Sequence, residues 1–260
     1  MAASLVVACT GTPDEQDELP PPLLVSAAAS LSEVIGIVAH AFERETGTRV
    51  LLNVAGSQIL ATQIIEGAPV DVFVSADVRQ MARTIDAGLI DIDQTVELLS
   101  NQLVVVVPSD RPGTVTHPDD LTDALIRRVA LGDPEAVPAG VYAREYLKNV
   151  GVWGAVAGKI VPTRNVRAAL RAVELGAAEA AVVYRTDVAT SLGVVVAFEV
   201  PLEGGPRIVY PAGVSTDPPN REGAARFQDF LQSPEARRLF EASGFVSLLG
   251  PDTSSNPLPE

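Results

Sequence analysis

The sequence predicts an α/β fold with helices covering the sheets, because apolar runs of strand length alternate with segments of helical period along the whole chain. The clearest strand, Asn101-Gln-Leu-Val-Val-Val-Val-Pro108, is apolar at successive positions and therefore on both faces, as a strand buried on two sides must be. Repetition is a second indication: an extended run, a tight turn and a helix occur near Val25 and return near Val137 and Val166. Open α/β sheets take ligands at the carboxyl ends of their strands, so function is expected at these turns.

In chain order, Val25-Ser-Ala-Ala-Ala-Ser-Leu-Ser-Glu-Val34 reads as a strand running into a helix. Ser30 followed by Glu33 predicts a capping box, with Leu31, Val34, Ile35, Val38, Ala39 and Phe42 at helical spacing behind it. Gly47 supplies a left-handed stop, and a strand resumes over 49–54. A helix over 57–66 closed by Gly67, a buried strand over 69–74 and a helix over about 78–87 follow. Next come the strand 101–108, a helix over 121–128, a strand over 129–133, and a turn at 137–142 that opens a helix reaching about Asn149. Val166, Ala169, Leu170 and Val173 share one helical face, Gly176 ends that helix, and 180–184 is a strand. Strands at 194–200 and 207–210, a helix over about 220–231, and a last helix with Ser233 as cap and Pro234 at its first position complete the chain. The first N–H groups of a helix lack intrahelical partners and carry roughly +0.5 charge, so each small-residue turn is a potential anion seat. At Ser30 the alternative is a residue that only caps its own helix, and local sequence leaves both readings open.

Length and charge narrow the function classes. With 260 residues the chain suits one large or two smaller domains. A net charge of −14 argues against a nucleic-acid partner and requires any anionic ligand to be attracted locally rather than by the overall field. One cysteine permits no intrachain disulfide, and neither His40 nor His117 has a neighbour at metal-ligand spacing. No run of about 18 apolar residues is present for a spanning helix. The start, Met-Ala-Ala-Ser-Leu-Val-Val-Ala-Cys9-Thr-Gly, resembles the end of a bacterial lipoprotein signal, in which the cysteine receives lipid. It lacks a basic segment and a full apolar stretch, so either the start is misassigned or Cys9 is an ordinary thiol; the acidic, proline-rich stretch 10–22 favours a membrane tether.

Five segments carry a family resemblance: Ala27-Ala-Ala-Ser-Leu31, Gln63-Ile-Ile-Glu-Gly-Ala-Pro-Val-Asp-Val-Phe-Val-Ser-Ala-Asp77, Asn101-Gln-Leu-Val, Leu131-Gly-Asp-Pro-Glu-Ala-Val-Pro-Ala-Gly-Val-Tyr-Ala-Arg144 and Val182-Val-Tyr-Arg-Thr-Asp187. In this order the chain resembles, over roughly 23–249, the molybdate-binding proteins of bacterial ABC importers, of the type II periplasmic binding protein superfamily. The resemblance implies a two-lobed α/β fold, each lobe a mixed sheet flanked by helices, joined by two crossing strands. It divides the chain into a signal-like segment and tether (1–22), lobe I (23–100 plus 204–249), lobe II (101–203) and a loose tail (250–260). It implies a monomeric, non-enzymatic receptor without a cofactor, outside the cytoplasm, that passes molybdate or tungstate to an ABC permease, and the signal-like start adds a lipid anchor at Cys9; the alternative ligand is another oxyanion such as sulfate. Position by position, the family's oxyanion contacts fall on Ser30, Ser57, Ala139, Val166 and Tyr184, with Ala139 and Val166 acting through backbone N–H and no side chain bound directly to metal. Gln58-Ile59 departs from the small and hydroxylated residues common in the family.

Uncharged donors suit a dianion. Four helix starts would supply at most about +2 of partial charge without a buried cation. A set of donors alone rejects a protonated oxyanion, whose O–H would go unpaired at a cost of roughly 1–3 kcal/mol, whereas sulfate differs from molybdate only in oxygen spacing. Asp71 and Asp77 are expected in capping or hinge roles, Arg144, Arg164, Arg167 and Arg185 at the surface or in interlobe ion pairs, and Trp153 and Tyr142 in packing. A hydrolase is disfavoured because no base is evident for Ser30 or Ser57, and a transcription regulator because no basic helix-turn-helix segment is present.

Overall fold

The computed structural model describes residues 21–250, so Cys9 and nearly all of the tether and of the tail lie outside the described residues. The first lobe begins with β1 (Leu23–Ala28), a 3-10 turn at Ala29–Leu31 and α1 (Ser32–Thr46). It continues through β2 (Val50–Ala55), α2 (Ser57–Ile65), β3 (Val72–Val74), α3 (Val78–Asp86) and β4 (Ile90–Ser100). The chain then crosses at Asn101 and Gln102 into β5 (Leu103–Pro108), β6 (Val129–Gly132), α4 (Pro138–Asn149) and α5 (Trp153–Val156). β7 (Ile160–Thr163), α6 (Val166–Glu174), β8 (Ala180–Tyr184), α7 (Arg185–Val188) and β9 (Val194–Glu199) complete the second lobe. The chain returns for β10 (Tyr210–Ser215), α8 (Arg221–Leu231), α9 (Pro234–Ala242) and β11 (Val246–Ser247).

Two mixed sheets result. The first has the order β11-β4-β10-β3-β1-β2, with β1 parallel to β2 and β3 and the β10 and β4 pairings antiparallel. The second has the order β7-β6-β8-β5-β9, with β6 parallel to β7 and β8 and β5 antiparallel to its neighbours. Central strands are buried on both faces, as their unalternating sequence requires: Leu103 to Val107 in β5 and all of β8 are in the core. Helical stripes cover them, Val34, Ile35, Val38 and Phe42 of α1 on the first sheet and Ala169, Leu170 and Val173 of α6 on the second.

Several expectations need correction. The capping box at Ser30 and Glu33 does not form: α1 starts at Ser32, no side chain caps it, and Ser30 instead turns inward to the Tyr210 hydroxyl. No helix spans 121–128, where only a 3-10 turn at Pro118–Thr122 occurs. The Lys159 ammonium takes the carbonyls of Leu121, Thr122 and Asp123 at 3.1, 2.8 and 2.7 Å, and the Glu179 carboxylate takes the N–H groups of Arg127 and Arg128, so the groups a helix would pair are already satisfied. The strand placed at 207–210 starts only at Tyr210 and continues through Pro211, which sits at a register shift against β4. β4 carries no strand signal in its first half, because the polar-rich Ile-Asp-Ile-Asp-Gln-Thr run is largely solvent-facing.

Candidate functional site

Four segment starts converge between the lobes. The 3-10 turn after β1 places Ser30, α2 begins at Ser57, α4 carries Ala139 behind Pro138, and α6 begins at Val166. Among the described residues, no N-cap side chain caps the first three, so their leading N–H groups are left for another acceptor. At α6 the Asn165 side chain accepts from Ala168 N–H at 2.9 Å and leaves the earlier donors uncovered. Close packing seats these turns. A Cβ on Gly140 would lie 1.9 Å from the Gly132 carbonyl oxygen, so the front of α4 can press onto the end of β6 only with glycine there.

Ser30, Ser57, Ala139, Val166 and Tyr184 all line one cavity of about 20 Å³, together with Ala28, Ala29, Gly56, Ala76, Val137, Pro138 and Asn165. Among the described residues, no arginine or lysine lines it. Ser57, 1% exposed, accepts from Ala76 N–H at 2.9 Å, which leaves its own hydroxyl proton for a guest. Tyr184, 1% exposed, has a buried hydroxyl without a hydrogen-bond partner among the described residues. Burial, then the nearby Tyr210, Tyr142 and acidic groups, push that phenol well above its ordinary pKa, so it stays protonated and can donate. A compact guest with several acceptor oxygens is what such a site can hold. Among the described residues, no group of three or more His, Cys, Asp or Glu could hold a metal ion directly. A larger depression of about 980 Å³ lies elsewhere on the second lobe, between the 108–114 and 123–127 segments and the end of α6, and none of the five positions borders it.

Over residues 23–246 the sequence matches the bacterial extracellular solute-binding proteins. The chain belongs to this family. It is 37% identical over 228 residues to the molybdate-binding protein ModA of Escherichia coli (strain K12), covering 86% of this chain and 88% of that protein. It is 35% identical over 245 residues, 94% of each chain, to YvgL of Bacillus subtilis (strain 168), named as a candidate ABC transporter substrate-binding lipoprotein. Among solved structures, the periplasmic molybdate-binding protein of Azotobacter vinelandii superposes with a TM-score of 0.76 at 22% identity, over 88% of this chain and all of that one, which shows the shared fold.

The cleft of this solute-binding protein is shut. Gln58 Nε2 donates to the Arg164 carbonyl at 2.8 Å, Arg79 Nη1 to the Glu135 carbonyl at 3.2 Å, and Gln80 Nε2 to the Ala136 carbonyl at 3.2 Å, each from the first lobe to the second. Gln58, the departure noted in the sequence, is therefore a bridge across the cleft, and the backbone makes room for it. A Cβ on Gly56 would meet the Gln58 side chain at 2.6 Å and the Arg164 carbonyl at 2.9 Å.

Arg167 is a second bridge, in an interlobe ion pair, one of the two places expected for it from the sequence. Its guanidinium pairs with Glu33 of the first lobe and reaches the Ser30 carbonyl at 3.4 Å. On its own lobe, Nε lies 2.9 Å from Asp187 Oδ1, an ion pair not aligned as a hydrogen bond. Asp187 Oδ2 in turn accepts from Tyr184 N–H at 3.0 Å and fixes the turn from which the Tyr184 ring projects. Burial pushes the Asp187 carboxyl up to about 7, against the opposing pull of Arg167 and the Tyr184 N–H.

The remaining acids and cations serve structure. Asp77 caps α3, accepting from Gln80 N–H at 2.8 Å, and Asp71 accepts from Leu24 and Asn220 N–H, tying β1 to the start of α8. Arg144 pairs with Glu135 and Arg185 with Glu199, each within the second lobe. Tyr142 is buried and Trp153 packs against the core.

Proposed function

We propose that this solute-binding protein captures molybdate or tungstate outside the cytoplasm and delivers it to the permease of an ABC importer. The observation that carries the reading is the convergence of Ser30, Ser57, Ala139, Val166 and Tyr184 from both lobes on one small cavity lined by uncharged donors, with a buried Tyr184 hydroxyl left unpartnered among the described residues. The name of the Escherichia coli relative points to the same ligand.

In this reading Ser30, Ser57 and Tyr184 donate hydroxyl protons to ligand oxygens, and Ala139 and Val166 donate backbone N–H groups. The metal is held through those oxygens, with no side chain bound to it. Neutral donors at helix starts hold a dianion without stranding a fixed charge in the empty cleft, where its desolvation would be costly. Closure brings Tyr184, Ala139 and Val166 onto a ligand already resting on Ser30 and Ser57. A permease that prefers the closed form then distinguishes the loaded receptor from the empty one. The receptor is non-catalytic and monomeric, and Cys9 carries a lipid anchor to the membrane, in keeping with the lipoprotein name of YvgL. Replacing Cys9 with serine should release the protein from membranes, and unchanged partitioning would remove the anchor from the reading.

A thermal-shift series with molybdate, tungstate, sulfate and phosphate tests the ligand. At 100 times the dissociation constant a ligand adds about 2.7 kcal/mol, roughly 5–10 °C for a chain of this size. A shift with molybdate and tungstate but not phosphate is expected. A shift with sulfate alone would replace molybdate with sulfate as the ligand.

A further inference from the structure

We infer that Tyr210 and Asn101, neither of which lines the cavity, orient the Ser30 hydroxyl as a donor toward the guest and thereby set the preference for fully deprotonated oxyanions. The inference rests on the oxyanion reading above and follows from counting protons along one buried chain of hydrogen bonds.

The chain starts at a group with no choice. The Gln102 backbone N–H can only donate, so its partner at 2.9 Å must be the Asn101 carbonyl oxygen, Oδ1. That assigns the other end of the amide as the NH2 group, which donates to Thr186 Oγ1 at 2.8 Å and to the Tyr210 hydroxyl oxygen at 3.4 Å. Tyr210 is fully buried, and the described residues give its hydroxyl two hydrogen-bond partners, Asn101 Nδ2 and Ser30 Oγ at 3.0 Å. An amide NH2 cannot accept, so the phenolic proton has Ser30 Oγ as its acceptor. Burial raises the Tyr210 pKa and keeps that proton in place. Ser30, 3% exposed, thus accepts from Tyr210, and its own proton must find an acceptor on the cavity side.

The consequence is directional. A serine free to rotate could give its proton to Tyr210 and meet the guest with a lone pair, which would accommodate an oxyanion that still carries a proton. Tyr210 closes that option, because a protonated oxygen set against Ser30 would leave the serine proton unpaired. Asn101 sits where the chain crosses between lobes and also grips Thr186 at the start of α7, so the orientation is anchored at the joint between the sheets. It also gives the Asn101-Gln-Leu-Val segment, singled out in the sequence, a task that no direct contact with the cavity supplies.

The test is the Asn101→Asp variant, whose carboxylate can only accept and so takes the Tyr210 proton and frees the Tyr210 oxygen to accept from Ser30, with titrations of molybdate and displacement of bound molybdate by inorganic phosphate at pH 7. The preference for molybdate over phosphate is expected to fall by about tenfold, the equivalent of roughly 1.4 kcal/mol. An unchanged preference, whether both anions weaken together or neither does, overturns the inference. Neutron diffraction on the deuterated wild-type protein, with or without molybdate, provides a measurement that needs no variant. It is expected to show the Tyr210 deuteron directed at Ser30 Oγ, and a Ser30 deuteron directed at Tyr210 would overturn the inference. Wild-type protein that binds no molybdate would refute the ligand reading, whereas binding with an unmoved preference refutes only the role of Tyr210.

Discussion

The ring of Tyr184, carried by the second sheet, lies 5.8 Å from that of Tyr210, carried by the first, with 58° between their planes, and the two hydroxyls differ in their bonding. Tyr210 is tied to Ser30, whereas the Tyr184 hydroxyl is buried and has no hydrogen-bond partner among the described residues. Closure without a guest therefore bears a desolvation cost of about 1–3 kcal/mol that an oxyanion would remove. Tyr184→Phe is expected to weaken molybdate binding by about 1.5–3 kcal/mol, the range for hydrogen bonds to charged groups, while leaving the ligand-free protein as stable as before or slightly more so. Calorimetric titration and thermal unfolding without ligand check the two halves. A fall in stability with no change in affinity would make Tyr184 a packing residue.

Gln58 bridges the lobes by one hydrogen bond at 2.8 Å, to the Arg164 carbonyl. Because that bond forms only when the cleft shuts, Gln58→Ala is expected to leave ligand association unchanged and to speed dissociation roughly fivefold, for a net loss of about 1 kcal/mol. The single tryptophan, Trp153 on the second lobe, offers a fluorescence signal for stopped-flow traces. Slower association with an unchanged off-rate would contradict a role in holding the closed form.

The ion pair between Arg167 and Glu33 also spans the cleft, but Glu33 is largely exposed, so screening limits its strength. Glu33→Gln is expected to lower molybdate affinity by at most about 1 kcal/mol at low ionic strength and by almost nothing near 1 M salt, where the Debye length is about 3 Å. Titrations at two salt concentrations decide it. A loss that persists at high salt would mean that Glu33 acts through packing rather than charge.

What the sequence made legible were features written in neighbouring residues. The turn at 137–142 opens α4, the apolar face beginning at Val166 coincides with α6, and Gly47, with φ of 72°, ends α1 where expected. The five candidate contacts were named through family likeness rather than through periodicity, which shows where helices begin but not that four of them face one another. Relations between distant residues were not legible. Ser30 looked like a helix cap because Glu33 follows three residues later, yet its partner is Tyr210, 180 positions away. The missing helix at 121–128 has the same cause, since its carbonyls are claimed by Lys159 from beyond the local window. Gln58 could be recognised as unusual, but its acceptor is a carbonyl, which carries no residue identity to read.

Asp187 provides a pH signature. It is fully buried, and burial pushes its carboxyl up from 3.8 to about 7, although Arg167 and the Tyr184 N–H pull the other way and Glu33 adds to the rise. Between those two values the folded protein holds a proton that the unfolded chain has released, so this group favours folding below about pH 4 and loses that contribution as the pH climbs through about 7. The whole change is at most about 4 kcal/mol, at 1.36 kcal/mol per pH unit. Asp187→Asn keeps an oxygen to accept from Tyr184 N–H and cannot ionise, so its stability should lack that decline. Denaturant unfolding of both proteins at pH 4.5, 6 and 8 is expected to show the variant gaining on the wild type as the pH rises. Parallel profiles would mean that Arg167 keeps the carboxylate charged throughout, and the Glu33–Arg167–Asp187 bridge would then hold its full charge at every pH at which the receptor works.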